Sequence, residues 1–249
     1  SGPGVTVRYR PDAVAQRLAR LARARRSPFP WVSIARAANP ASPMAIAHDF
    51  FTQRGGAERV AEHLATLYPD APVFTSVISA CARPASLAGR RVRPTALQRL
   101  SDVRVPLGAM APLLPVAFGR ARIPAGTRVV ISSSSAFAIH VRVPAGAVHI
   151  AYCHTPPRFL WEPDEYFHDR RAARWALGPA LAVARRADRD AARRVDVFLA
   201  NSAFTAERIR RFYGRAARVV YPPVQVDAFA AADGEHTGRF LVVGRLKRH

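Results

Sequence analysis

The sequence predicts an α/β protein: a parallel sheet with helices on both faces. Short apolar runs with the length of buried strands recur along the chain, at 45–47, 72–77, 128–133, 147–152, 195–200, 218–221 and 239–243. Helical patterns separate several of them, and strand, helix, strand in that order implies parallel pairs joined by right-handed crossovers. With 249 residues, about half of them apolar (49%), the chain can bury a full core.

The first strand and helix organise the rest. Ala-Ile-Ala at 45–47 is the strand, and Gly55-Gly56 lets the backbone turn tightly and approach a ligand with no Cβ in the way. From Ala57 the apolar positions Val60, Leu64 and Leu67 recur at helical spacing, with Glu58 in the first turn, where a negative charge suits the helix dipole. Free backbone N–H groups at such a helix start suit a phosphate. Gly-Gly is not the dinucleotide fingerprint Gly-x-Gly-x-x-Gly, so a plain turn is the competing reading.

Residues 1–43 read as a basic, Pro/Arg-rich extension. A basic amphipathic helix at 11–26 is followed by Pro28, Pro30, Pro40 and Pro43, which prevent regular structure. The segment has the character of a membrane-surface helix or a transit peptide, but Met44 immediately precedes the first strand, so an appended start that the fold does not need is the stronger expectation.

After the first helix, Pro69-Asp70 marks a turn into PVFTSV at 72–77. The stretch 83–128 reads as loops and short helices with Leu107, Met110, Leu113 and Leu114 on one apolar face. RVVISS at 128–133 runs into the serines Ser132 to Ser135, and AVHIAY at 147–152 delivers Cys153-His154-Thr155. Ligands of open α/β sheets collect at the carboxyl ends of strands, which places His154 to face a substrate; a histidine satisfied by backbone is the bland alternative. A very basic helical region follows at 170–194, interrupted near Gly178-Pro179, with Trp175, Leu177 and Leu181 as its apolar stripe. VDVFLA at 195–200 leads to Asn201-Ser202, a plausible N-cap for a helix through Tyr213. A short strand at 218–221 ends at Pro222-Pro223, and RFLVV at 239–243 opens a further strand whose helix is missing, so the chain reads as cut off at His249.

The balance of 38 basic to 17 acidic residues, a net charge of +21, attracts anionic partners: phosphates, acidic glycans or an anionic membrane face, toward which the arginines of 170–194 could draw the protein. Nucleic acid is the rival partner. The arginines lie in alanine-rich helices with few interleaved aromatics and no nucleic-acid motif, which argues against it. Cys81 and Cys153 fit neither a disulfide framework nor a metal pattern, and a reducing cytoplasm is the default location. No apolar run reaches the ~18 residues of a membrane span. Asp188-Arg189-Asp190 has a metal-binding spacing, but carboxylates at i and i+2 of a helix point to different faces, so no metal is expected.

Six segments in order, HDFFTQRGGAERV at 48–60, VVISSSSAFA at 129–138, YCHTPPRFLW at 152–161, DVFLANSAFTAERIRRFYG at 196–214, VVYPPVQVDAF at 219–229 and VVGRLKRH at 242–249, resemble glycosyltransferase family 4, in particular its bacterial mannosyltransferase-type enzymes. The resemblance implies the GT-B architecture, two Rossmann-like domains facing each other across a cleft. Residues 44–223 would then be the amino-terminal, acceptor-side domain, and 224–249 the crossover and first strand of a truncated donor-side domain. It also implies retaining transfer of a hexose, with mannose expected, from a nucleotide diphosphate sugar such as GDP-mannose to a glycan or polyprenyl-linked acceptor, with no cofactor besides that substrate. By the same resemblance Gly55, Gly56 and Arg245 bind the donor diphosphate, His154 is catalytic beside the transferred sugar, and Arg54, Thr155 and Trp161 lie on the acceptor side. The family's phosphate-binding lysine would fall one position past His249, which leaves a non-catalytic acceptor-domain fragment as the alternative.

Overall fold

The computed structural model describes residues 43–166 and 171–224. Seven strands form one sheet: β1 (Met44–His48), β2 (Val73–Thr75), β3 (Val92–Pro94), β4 (Val129–Ser134), β5 (Val148–Cys153), β6 (Val197–Ala200) and β7 (Ala217–Val219). Their spatial order is β3-β2-β1-β4-β5-β6-β7, and every neighbouring pair is parallel. The α/β, Rossmann-like expectation therefore holds.

The register explains why the apolar runs had to be strands. Val73, Ile46, Ile131, Ile150 and Val197 lie side by side across the sheet, and the first helix, α1 (Gly56–Leu67), covers them with Ala61 and Ala65. One residue further along, Phe74, Ala47, Ser132, Ala151 and Phe198 line up on the opposite face. That face is covered by the short helices α2 (Gln98–Asp102), α3 (Leu107–Met110), α4 (Leu114–Gly119) and α5 (Arg158–Trp161), through Leu97, Met110, Leu114, Phe118 and Leu160. After α6 (Pro163–Tyr166), the same face receives α7 (Arg171–Arg193) and α8 (Ala203–Tyr213), with Ala191, Ala192 and Ile209 against Ala151 and Phe198. Each fully buried aliphatic or aromatic side chain contributes about 1.5–3 kcal/mol, and both faces are lined with them.

Helices on opposite faces follow from the strand order. From β1 the chain steps outward to β2 and β3, then returns to β4 on the other side of β1 and continues to β7. Right-handed crossovers in opposite directions put their helices on opposite faces. The reversal lies between β1 and β4, where the connections leaving the two strands diverge and open a crevice at their carboxyl ends.

Several local expectations are corrected. Strand β3 was not anticipated, because at this exposed edge only Val92 is apolar. Helix α7 runs unbroken through Pro179 instead of stopping at it, and Gly178, Pro179 and Ala180 are solvent-exposed. Leu113 points outward while Met110 and Leu114 are buried. The expected cap is made by Ser202, whose Oγ accepts from the Thr205 amide at 3.2 Å, and Gly214 closes α8 in the left-handed region at φ 65°. The side chains of Trp175 and Leu177, the extension 1–42 and the expected strand at 239–243 with Arg245 lie outside the described residues.

Candidate functional site

The crevice at the β1/β4 reversal is filled with polar side chains, although the strands leading into it are apolar. Strand β1 ends at His48, and Asp49 follows; β4 ends in Ser133 and Ser134; β5, next to β4, hands over to His154. Asp49, only 1% exposed, is the keystone. Its Oδ1 accepts the amides of Phe137 (2.8 Å) and Ala138 (2.6 Å), and its Oδ2 accepts those of Ser135 and Ala136 (2.9 Å) together with the Ser135 hydroxyl (3.1 Å). Four successive amides turned toward one carboxylate make a nest, so the loop after β4 is held by an anion that the protein itself supplies. The sequence reading missed Asp49; an aspartate directly after a buried strand was the only cue.

Three side chains form a relay above this loop. His48 Nδ1 lies 3.1 Å from both the carbonyl oxygen and the hydroxyl of Ser133, and that hydroxyl lies 2.8 Å from His154 Nε2. A carbonyl oxygen can only accept, so His48 carries its proton on Nδ1. Ser133 can then donate to His154 Nε2, and in that arrangement the His154 proton sits on Nδ1. Burial lowers the His48 pKa to about 4, against a smaller upward pull from backbone hydrogen bonds of Ser133 and Phe50. Burial also lowers His154 to about 4, helped by neighbouring His48 and opposed by Asp49. Both imidazoles are neutral near pH 7. The His154 backbone is fixed from two sides, its amide donating to the Ser134 carbonyl at 2.8 Å and its carbonyl accepting from Thr205 Oγ1 at 3.2 Å. A fixed, neutral imidazole can donate to or accept from a hydroxyl, and it adds no positive charge to the crevice.

Residues 54–228, well over half of the chain, match the model of glycosyltransferase family 4. The chain belongs to glycosyltransferase family 4. No curated protein and no solved structure matches it. Membership implies glycosyl transfer between a nucleotide-sugar donor and an acceptor, and the seven-stranded sheet is consistent with one half of a GT-B enzyme.

In this family 4 chain the glycine pair stands where β1 gives way to α1, at the same carboxyl end of the sheet as His154. Gly55 is the N-cap of α1 with extended backbone (φ −122°), and no side chain caps the helix. Neither glycine has a positive φ, so a left-handed turn is not why they are glycines. A Cβ built on Gly56 would meet nothing within 4 Å. Packing does not demand Gly56 either, and the first-turn amides of α1 carry no side-chain cap. Arg54 is exposed beside the pair, and Thr155 is half-buried beside His154, its hydroxyl donating to the Pro156 carbonyl at 3.1 Å.

Two aromatic side chains near His154 in sequence, the candidate Trp161 and Tyr152, have partners of their own. The Trp161 indole donates to Asp188 Oδ2 at 2.7 Å, stacks on Phe212 with centroids 5.1 Å apart and lies under the Arg189 guanidinium. These contacts tie its ring to α7 and α8. Tyr152 packs edge-on to His154, and its hydroxyl donates to the Val220 carbonyl at 2.9 Å. Cys153 is buried, and desolvation pushes its thiol far up, so it is no nucleophile. Asp188 is fully buried and also accepts from Tyr213 OH (2.8 Å) and faces His140 Nε2 (3.1 Å), whereas Asp190 is partly exposed and pairs with Arg193. The two carboxylates do part company, as their spacing predicts. Among the described residues no three His, Cys, Asp or Glu side chains converge on a metal position.

Proposed function

We propose that this chain supplies the acceptor-side half of a retaining hexosyltransferase that moves mannose from GDP-mannose to a hydroxyl of a glycan or polyprenyl-linked acceptor. The observation that supports it best is the held imidazole: His154, neutral and linked through Ser133 to His48, at the carboxyl end of the sheet where the uncapped helix α1 also begins. As the glycosidic bond lengthens, negative charge grows on the departing diphosphate. Bare amides at Gly55 and Gly56, with Arg245, would stabilise that charge more than the ground state. His154 would orient the transferred sugar, and a leaving phosphate oxygen would take up the acceptor proton on the same face. No protein nucleophile is needed.

On this reading the protein works on the cytoplasmic side of a membrane, with exposed arginines of α7 such as Arg186, Arg189 and Arg193 as its contact with anionic lipid. Among the described residues no helix is long and apolar enough to cross a bilayer. Equal sedimentation with neutral and anionic vesicles at low salt would remove the membrane part of the reading.

The experiment for the site is titration of the isotopically labelled chain with GDP-mannose, read by NMR, which registers weak binding as well as tight. Shifts at the Gly55, Gly56 and Glu58 amides and at the His154 ring are expected. Shifts confined to arginine-rich surface, with those four groups unmoved at millimolar donor, would refute the assignment.

A further inference from the structure

Two polar atoms at the crevice are buried with no hydrogen-bond partner among the described residues: Oε2 of Glu58 and Nε2 of His48. Glu58 is 4% exposed and His48 1%. Buried polar groups of folded chains are almost always paired, so each of these calls for a reason. Asp49 shows what pairing looks like here: enclosed like Glu58, its two oxygens receive four amides and a hydroxyl.

Both unpaired atoms belong to the α1 side of the sheet at its carboxyl end. His48 shares a face with Ile46, two residues earlier in β1, and its ring lies 4.6 Å from that of Phe51, which joins Ile46 in the cluster that α1 covers. Glu58 is buried in the first turn of α1, where side chains lean back toward the helix start. The flank of that start is open, since a Cβ on Gly56 would meet nothing within 4 Å. The first turn also carries no side-chain cap to hold it, so it can give as a ligand enters.

Both atoms are acceptors. An ionised carboxylate cannot donate, and His48, whose Nδ1 proton is turned to Ser133, presents only a lone pair at Nε2. A phosphate cannot satisfy them, because it too brings acceptors. A cation is disfavoured beside the positive end of a helix. What matches is a neutral group rich in O–H donors, placed next to first-turn amides that are donors themselves. A sugar joined to a phosphate has both halves, hydroxyls for the two acceptors and oxygens for the amides.

We propose that Glu58 and His48 read hydroxyl groups of the transferred sugar, with Glu58 as the specificity-determining residue. This rests on the glycosyl-transfer reading and adds to it the side chains that tell a sugar phosphate from a bare phosphate.

The test is NMR titration of the full, isotopically labelled chain with mannose 1-phosphate and, as the probe without hydroxyls, methyl phosphate. Mannose 1-phosphate should bind about tenfold more tightly or better, because a site built to accept from hydroxyls rejects an analogue that lacks them. It should also move the Glu58 carboxyl carbon and the His48 ring resonances, which methyl phosphate leaves in place. Glu58→Ala should bring the two ligands within about twofold of each other, and Glu58→Gln, which keeps the shape and one acceptor oxygen, should retain part of the preference. An amide spectrum unchanged beyond α1 verifies the fold of both variants. Equal affinity for the two probes, no binding of mannose 1-phosphate at millimolar concentration, a preference that survives Glu58→Ala, or Glu58 and His48 resonances that stay in place would each overturn the proposal. The last two results would assign the unpaired atoms to buried water. GDP-mannose shifts at Gly55, Gly56 and His154 are read on the same sample: with them present, any of these failures falls on this inference alone, and without them the donor reading falls too.

Discussion

Replacing Asp49 with asparagine would test whether one carboxylate holds the site together. The change keeps the shape of the side chain but turns one acceptor oxygen into an NH2 donor. If the nitrogen takes the Oδ1 position it faces the amides of Phe137 and Ala138; in the Oδ2 position it faces those of Ser135 and Ala136. Either way two amide bonds to a charged oxygen are lost and donors confront donors in a place without water. Hydrogen bonds to a charged group contribute about 1.5–3 kcal/mol each, so the loss should be about 3–6 kcal/mol. For a chain of this size that corresponds to a fall in Tm on the order of 10 °C. Urea unfolding of the full chain followed by circular dichroism measures it, with the slope m unchanged. Hydrogen exchange should show the amides of residues 135–138 losing protection first. A destabilisation below about 1 kcal/mol, or protection of those amides retained, would show that the loop is held by something other than Asp49.

Ser133→Ala should release the relay: ring nitrogen shifts of His154 should change from a single Nδ1–H tautomer to a mixture, at a stability loss of about 1–2 kcal/mol; an unchanged ring spectrum would mean that Ser133 does not set the tautomer. Acid should destabilise the fold before the carboxylates titrate. His48 and His154 are held near 4 and His149 near 3, chiefly by burial, so the unfolded chain binds protons more readily, and the stability these groups contribute is complete above about pH 6.5 and is lost as pH falls toward 4. Urea midpoints that stay flat from pH 7 to 4.5 would contradict this. Trp161→Phe keeps the stacking on Phe212 but deletes the donor to Asp188, and should lower stability by about 1–3 kcal/mol while leaving GDP-mannose shifts at Gly55 and His154 unaltered; altered ligand shifts would return Trp161 to the acceptor side. Ser202→Ala should cost about 1 kcal/mol by removing the cap of α8, read from the same urea curves.

The sheet was legible because its interior strands carry enough apolar residues to declare themselves without context: RVVISS and VDVFLA have no competing reading. Strand β3 was not, since an edge strand needs no apolar side on its exposed flank and Val92-Arg93-Pro94 looks like loop. Pro179 misled because a proline inside a helix can be accommodated, and only the fold decides where. At the site, His154 could be placed from its position at a strand end. Asp49 could not, because its partners lie some 85 residues further along the chain and are backbone amides, which leave no mark in a sequence. Trp161 shows the converse: a tryptophan close in sequence to His154 invites a stacking role, whereas the partners of its ring, Asp188, Arg189 and Phe212 of α7 and α8, come from distant sequence.

Tyr152 has a consequence for how the sheet responds to force. Its ring leans on His154 and its hydroxyl grips the backbone at Val220, one residue past β7. A pull at Val220 is therefore shared between its own amide, which donates to the Ala200 carbonyl at 2.8 Å, and the Tyr152 phenol, whose ring leans on the imidazole of His154.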